Sequence, residues 1–170
     1  KGRGIRALSG HIESTDVTLV TILIDASSSI AMAKLEQAVR EGEKELLAAF
    51  AGSREKEKIL VALWTFNDEV KVVHSYVPVD DATALDEKSY RGTGCTRLYD
   101  AWWDAHTANV AYAQQLRDSG TPVKSVVVVI TDGEDTGSSR KPRSGTLPAS
   151  FPAATSRGCA SRAPLPSAPK

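Results

Sequence analysis

Residues 17–25 read VTLVTILID, a nearly unbroken β-branched and apolar run that ends on a carboxylate. A strand with one wet face alternates polar and apolar residues, whereas a strand covered on both faces need not, so this run predicts a buried strand between two layers. Residues 59–66 (ILVALWTF) and 126–131 (VVVVIT) have the same character. Buried strands of this kind need helices above and below them, which restricts the chain to an α/β arrangement.

The intervening segments supply those helices. From Ile30 to about Ala51 the period changes, with Leu35, Val39, Leu46 and Phe50 on one stripe, which predicts a single amphipathic helix stopped at Gly52-Ser53. Asn67-Asp68 turns the chain from the second strand into residues 69–77 (EVKVVHSYV), and so short a link forces antiparallel pairing. After a polar connection ending in Gly92-Thr93-Gly94, residues 97–118 predict a second long helix with Leu98, Ala101, Trp102, Ala105, Tyr112 and Leu116 on its inner side. Trp103 points about 100° away from Trp102 and is expected to be exposed. Three domains of behaviour follow: a flexible lead-in over 1–16, a folded unit over 17–137, and a tail over 138–170. The tail holds six of the eight prolines and no periodic apolar pattern, so disorder is expected there.

Charge is distributed unevenly although the total is zero. Six of the 21 Lys and Arg lie beyond Gly137 with no Asp or Glu, leaving 15 basic against 21 acidic residues in the rest. An acidic body of this kind repels phosphate, so no nucleic-acid partner is expected. No apolar run approaches the roughly 20 residues that cross a bilayer, and the opening Lys-Gly-Arg-Gly lacks a signal-peptide core, so no membrane association is expected. Cys95 and Cys159 stand far apart without C-x-x-C spacing, which argues against a disulfide framework or zinc site and for a reducing, cytoplasmic setting.

Three motifs fall just past the carboxyl ends of predicted strands or at a helix start, where open α/β sheets carry their functional loops. They are Asp25-Ala26-Ser27-Ser28-Ser29, Gly94-Cys95-Thr96-Arg97-Leu98 and Thr131-Asp132-Gly133. Each alone is explained as a helix cap or a turn. Together they supply two carboxylates and three hydroxyls, with no His or Cys among them. Hard oxygen donors of low charge suit Mg²⁺, Mn²⁺ or Ca²⁺ and suit Zn²⁺ poorly. Octahedral Mg²⁺ keeps waters readily, so a position stays open for an incoming acidic group.

The set resembles the metal-ion-dependent adhesion site of von Willebrand factor A (VWA) and integrin I domains, whose pattern is D-x-S-x-S, then a Thr, then an Asp. The resemblance covers about 120 residues and implies that Asp25, Ser27, Ser29, Thr96 and Asp132 hold one divalent cation. It implies a Rossmann-like VWA fold, a mostly parallel sheet with one antiparallel hairpin strand and flanking helices. It also implies a recognition module that binds a carboxylate on a protein partner and is not an enzyme. The sparse cysteines make the chain most similar to intracellular bacterial members, some of which serve as adaptors beside AAA+ ATPases. Ser28 stands where the family often has Gly, and Cys95 flanks the metal threonine.

One departure concerns the C-terminal side. Family members continue past the TDG strand with further helices and strands, whereas here the Pro/Ser/Ala/Arg tail follows, so the C-terminal strands are expected to be missing through truncation or a frame shift near Gly137. Such a chain would carry a long apolar sheet edge. Two other functional classes are open to this sequence. One is a VWA-like scaffold that works without metal, or a non-functional truncated product. The other is a hydrolase, against which stand the lack of a G-x-S-x-G elbow and of any motif tying His11, His74 or His106 to Ser27 or Ser29. The oligomeric state has no signature in the sequence.

Overall fold

The computed structural model describes residues 16–133 and 135–140. The lead-in before Asp16 and the segment 141–170 lie outside the described residues, and with them most of the expected tail. The elements run β1 (Val17–Asp25), α1 (Ser28–Met32), α2 (Glu36–Ala51), β2 (Ile59–Phe66), β3 (Val70–Pro78), α3 (Leu98–Asp118) and β4 (Val123–Ile130).

The four strands form one sheet in the order β3-β2-β1-β4. β1 pairs in parallel with both β2 and β4, and β3 returns antiparallel to β2. This is the mostly parallel sheet with one antiparallel strand that the resemblance implies, and the antiparallel pair is the one that the short Asn67-Asp68 link predicts. β1, the most continuous of those runs, occupies an interior position and is buried from Leu19 to Asp25. β4 forms an edge among the described residues, and Val126 on it is 48% exposed.

Alternation along β1 divides the core into two layers. Val20, Ile22 and Ile24 pack with Val61 and Leu63 of β2 beneath Ile30 of α1 and Leu47 of α2. On the opposite face Leu23 and Phe66 pack against Leu98, Ala101 and Ala105 of α3, with Trp64 and Trp102 joining them. Trp103 is 46% exposed, as its angular position predicts.

The predicted helix over 30–51 is in fact two. Lys34 adopts φ 57, the left-handed region. Leu35 N donates to Ile30 O at 2.9 Å and Lys34 N to Ala31 O at 3.0 Å, the paired bonds by which a helix terminates around a left-handed residue. Glycine normally marks that position, and a lysine there leaves no trace in the sequence. The break separates α1, which buries Ile30, from α2, which buries Leu47, and it leaves Leu35 outside the core.

A candidate divalent-cation site

The register of the sheet brings the first and third motifs to one rim. Ile24 lies opposite both Thr65 and Ile130, so Asp25 at the end of β1 is level with Thr131, the first residue past β4. Asp25 is only 1% exposed. Its Oδ1 accepts the Ser27 amide at 2.8 Å and its Oδ2 accepts the Thr131 hydroxyl at 2.8 Å. Thr131 Oγ1 in turn accepts the Gly133 amide at 3.1 Å, which folds the TDG turn back toward the rim. Tyr90, buried in the long connection before α3, donates its hydroxyl to the Asp25 carbonyl.

The two serines meet directly, Ser27 Oγ and Ser29 Oγ standing 2.9 Å apart. Ser27 holds the extended backbone that precedes α1 without using its side chain as a cap, so the cap explanation that suits an isolated D-x-S-x-S does not apply here. Its hydroxyl faces Ser29 instead.

The second motif reaches the first through the backbone. Thr93 N donates to Ala26 O at 2.8 Å and Ser28 N to Gly94 O at 3.0 Å. Gly92 and Gly94 permit this approach. A Cβ on Gly92 would fall 2.7 Å from Ser27 O, and one on Gly94, at φ +74, would fall 2.1 Å from Asp68 Oδ2. Thr96 follows, 4% exposed, with its peptide held on both sides: Thr96 N donates to Thr136 Oγ1 at 3.0 Å, and Thr96 O accepts from Thr136 N at 2.9 Å and Gly137 N at 3.1 Å.

Among the five predicted donors, Asp25, Ser27 and Ser29 are thus joined by hydrogen bonds within one loop. Asp132 is exposed and acts on Asp25 through its charge. Thr96 joins through its loop and not through a side-chain hydrogen bond to the other four. Burial pushes the Asp25 carboxyl above its ordinary range, the Ser27 and Thr131 hydrogen bonds pull it back, and the Asp132 charge pushes it up again. Burial also raises the Tyr90 phenol, with the Asp25 charge adding to it. Two carboxylates that repel each other beside a pair of hydroxyls make an electrostatic situation that a cation would relieve.

Among the described residues no group of three or more His, Cys, Asp and Glu converges to hold a metal. A cation at this rim would therefore depend on hydroxyl oxygens, which fits Mg²⁺, Mn²⁺ or Ca²⁺ and disfavours Zn²⁺. Three contributors escaped the sequence: the Thr131 hydroxyl, Tyr90 and Thr136. Thr131 lies inside a motif that was recognised, next to Asp132; Tyr90 and Thr136 carry no local signal. A groove opens beside the rim from Ala26 and Tyr90 along Lys71, Lys88 and Arg91. His74 lies on β3 and His106 on the exposed side of α3, stacked on Trp102 with ring centroids 5.0 Å apart.

Cys95 is not a free thiol, so the reduced-cysteine argument for a cytoplasmic setting loses its premise. No helix among the described residues is long and apolar enough to cross a membrane.

Residues 20–149 match the von Willebrand factor type A domain. The match runs past Gly137, and the described chain likewise continues in contact with the fold through Arg140, whose guanidinium meets Asp104 at 2.6 Å. No curated protein sequence matches the chain. Among solved structures, the chain is similar to three N-terminal domains of the type V pili tip protein Mfa5 from Porphyromonas gingivalis, at 16% identity and a TM-score of 0.44. The likeness covers 71% of this chain and 20% of that one, so the chain spans about a fifth of that structure.

Proposed function

The chain belongs to the von Willebrand factor type A family, and from that premise we propose that it is a divalent-cation-dependent protein-recognition module and not an enzyme. Members of the family commonly mediate protein–protein interaction. Asp25, Ser27, Ser29, Thr96 and Asp132 would hold the cation, Mg²⁺ in the first instance, with Mn²⁺ or Ca²⁺ as substitutes. When bound, the cation supplies a positive centre with an open position for a carboxylate of the partner.

The observation that carries this reading is the meeting of Asp25 with Thr131 across the sheet, beside the Ser27–Ser29 hydroxyl pair and within reach of the Asp132 charge. These residues orient one another's oxygens, and none of the five proposed donors is a histidine or a cysteine. Lys71, Lys88 and Arg91 along the adjoining groove suit an acidic partner. Against catalysis stands the serine geometry, since the Ser27 and Ser29 hydroxyls face each other, while of the described histidines His74 bonds the Ser75 carbonyl and His106 stacks on Trp102.

A second reading has its own support. Both Asp25 oxygens already accept hydrogen bonds, so the rim is a polar network that closes without a cation, as a metal-independent scaffold would need. A thermal-midpoint titration with Mg²⁺ and Mn²⁺ separates the two. Cation at 100 times its Kd is expected to add about 2.7 kcal/mol of stability to the native chain, and Asp25→Ala should abolish the gain. An unchanged midpoint across millimolar cation, in a sample folded by circular dichroism, would leave the scaffold reading in place.

A further inference from the structure

The stretch from Thr131 to Ser138 touches all three motifs of the rim. Thr131 binds Asp25, Asp132 is itself a proposed donor, and Thr136 with Gly137 brackets the peptide of Thr96. Ser138 then reaches the start of α3. That helix begins at Leu98 with Arg97 as its cap residue and no capping side chain of its own, which leaves its first amides without helical acceptors. Ser138 Oγ accepts Tyr99 N at 3.0 Å and Asp100 N at 3.2 Å. The Asp100 carboxylate answers by accepting Ser139 N at 2.8 Å and Arg140 N at 2.9 Å. The exchange is reciprocal in the manner of a capping box, with the return bonds going to the two amides after Ser138, and it joins segments about 40 residues apart. Gly137 sits between the two halves of the contact, where a Cβ would meet Arg97 Cγ at 3.3 Å and Cys95 Cβ at 3.5 Å.

We propose that Thr136 and Ser138 are positioning residues for the cation site, a clip that sets where Thr96 stands relative to Asp25. The inference rests on the cation reading and deepens it. Thr96 shares no side-chain hydrogen bond with the other donors, so its place is fixed from its own backbone. Two bonds to one residue, Thr136, take both the amide and the carbonyl of Thr96, and Ser138 pins the helix that begins two residues later. The same strand of chain that delivers Asp132 therefore also delivers Thr96. Partners that orient a ligand without touching the metal typically change affinity by 10- to 100-fold.

The test is Mg²⁺ and Mn²⁺ affinity by isothermal titration for the native chain, Thr136→Val, Thr136→Ser and Ser138→Ala, each checked by circular dichroism and by its midpoint in chelator. Thr136→Val keeps the shape and the amide but loses the hydroxyl that accepts Thr96 N, and it should weaken cation binding about 10-fold or more. Thr136→Ser should restore most of that loss, and Ser138→Ala should weaken binding to a smaller extent. Recovery with serine is the readout that a general loss of stability would not give. If the native chain binds cation and Thr136→Val binds it equally well, the clip is overturned and the cation site stands. If the native chain binds none, both fall together, and that outcome is distinct from the first. Should Thr136→Val fail to fold, Ser138→Ala and Asp100→Asn carry the test, and unchanged affinity in both overturns the clip.

Discussion

The two faces of the sheet bury polar groups of opposite kinds. Under α3, Thr21 of β1, Tyr76 of β3 and Asn109 of α3 form a neutral triad. Asn109 Nδ2 donates to Tyr76 OH at 2.7 Å and to Thr21 Oγ1 at 3.2 Å, and the Thr21 and Tyr76 hydroxyls bond each other. Ala62 of β2 lies opposite Thr21 in the register, and its small side chain leaves room for the tyrosine to reach across. Tyr76 also stacks on Tyr112 with ring centroids 4.8 Å apart. Under α2, by contrast, Glu43 is 0% exposed. Its Oε2 accepts the Leu85 amide at 3.1 Å, while Oε1 has no hydrogen-bond partner among the described residues. Burial raises the Glu43 carboxyl above its ordinary range, and the Leu85 hydrogen bond opposes that. The contrast teaches that a neutral network can be closed within a core, whereas a lone carboxylate retains a cost that depends on pH.

The comparison breaks most strongly if the neutral face is made ionisable. Asn109→Asp puts a carboxylate among the triad with no cation beside it and should cost about 3 kcal/mol or more at neutral pH. Chemical denaturation measures this, and a loss under 1 kcal/mol would mean that water reaches the triad. Removing one member while leaving the others neutral is gentler. Tyr76→Phe leaves the Thr21–Asn109 bond in place and is expected to cost about 1 kcal/mol.

The smallest signal is a slope. Glu43 has a folded-state value raised above its ordinary 4.5, so the stability it contributes is present in full below that ordinary value and is lost as pH rises through the raised one. Glu43→Gln keeps an acceptor for Leu85 and does not titrate. Relative to that variant, the native chain should lose stability as pH rises from 4.5 upward. A gap between the two that stays flat over that span would show that Glu43 is solvated or paired.

Legibility followed the range of the contacts. β1 and β2 are readable to the residue, β3 and α3 to within one residue, and β4 is placed but begins three residues before its valine run, because burial on two faces or one stripe is written locally in residue type. The break at Lys34 was not, because a left-handed residue is announced by glycine and this one is a lysine. Glu43 sits on the inner side of α2 among positions that helical periodicity predicts as apolar, and only the fold shows Leu85 arriving to meet it. At the rim, the pieces Asp25, Ser27, Ser29, Thr96 and Asp132 stand out as motifs. What joins them does not, because Asp25–Thr131 and Thr96–Thr136 span 106 and 40 residues, and single-chain patterns carry no record of such pairings.

The alignment of β4 on β1 has a consequence for folding. Side chains alternate across a strand, so a slip of one residue would carry Thr131 off the Asp25 carboxylate and turn Val127 and Val129 to the opposite layer. Strands this rich in valine offer few distinguishing side chains to forbid the slip. The Thr131–Asp25 bond marks the correct alignment, so if the rim holds the proposed cation, a titration doubles as a gauge of it: molecules in which β4 has settled one step out of place would be counted as the fraction that never binds.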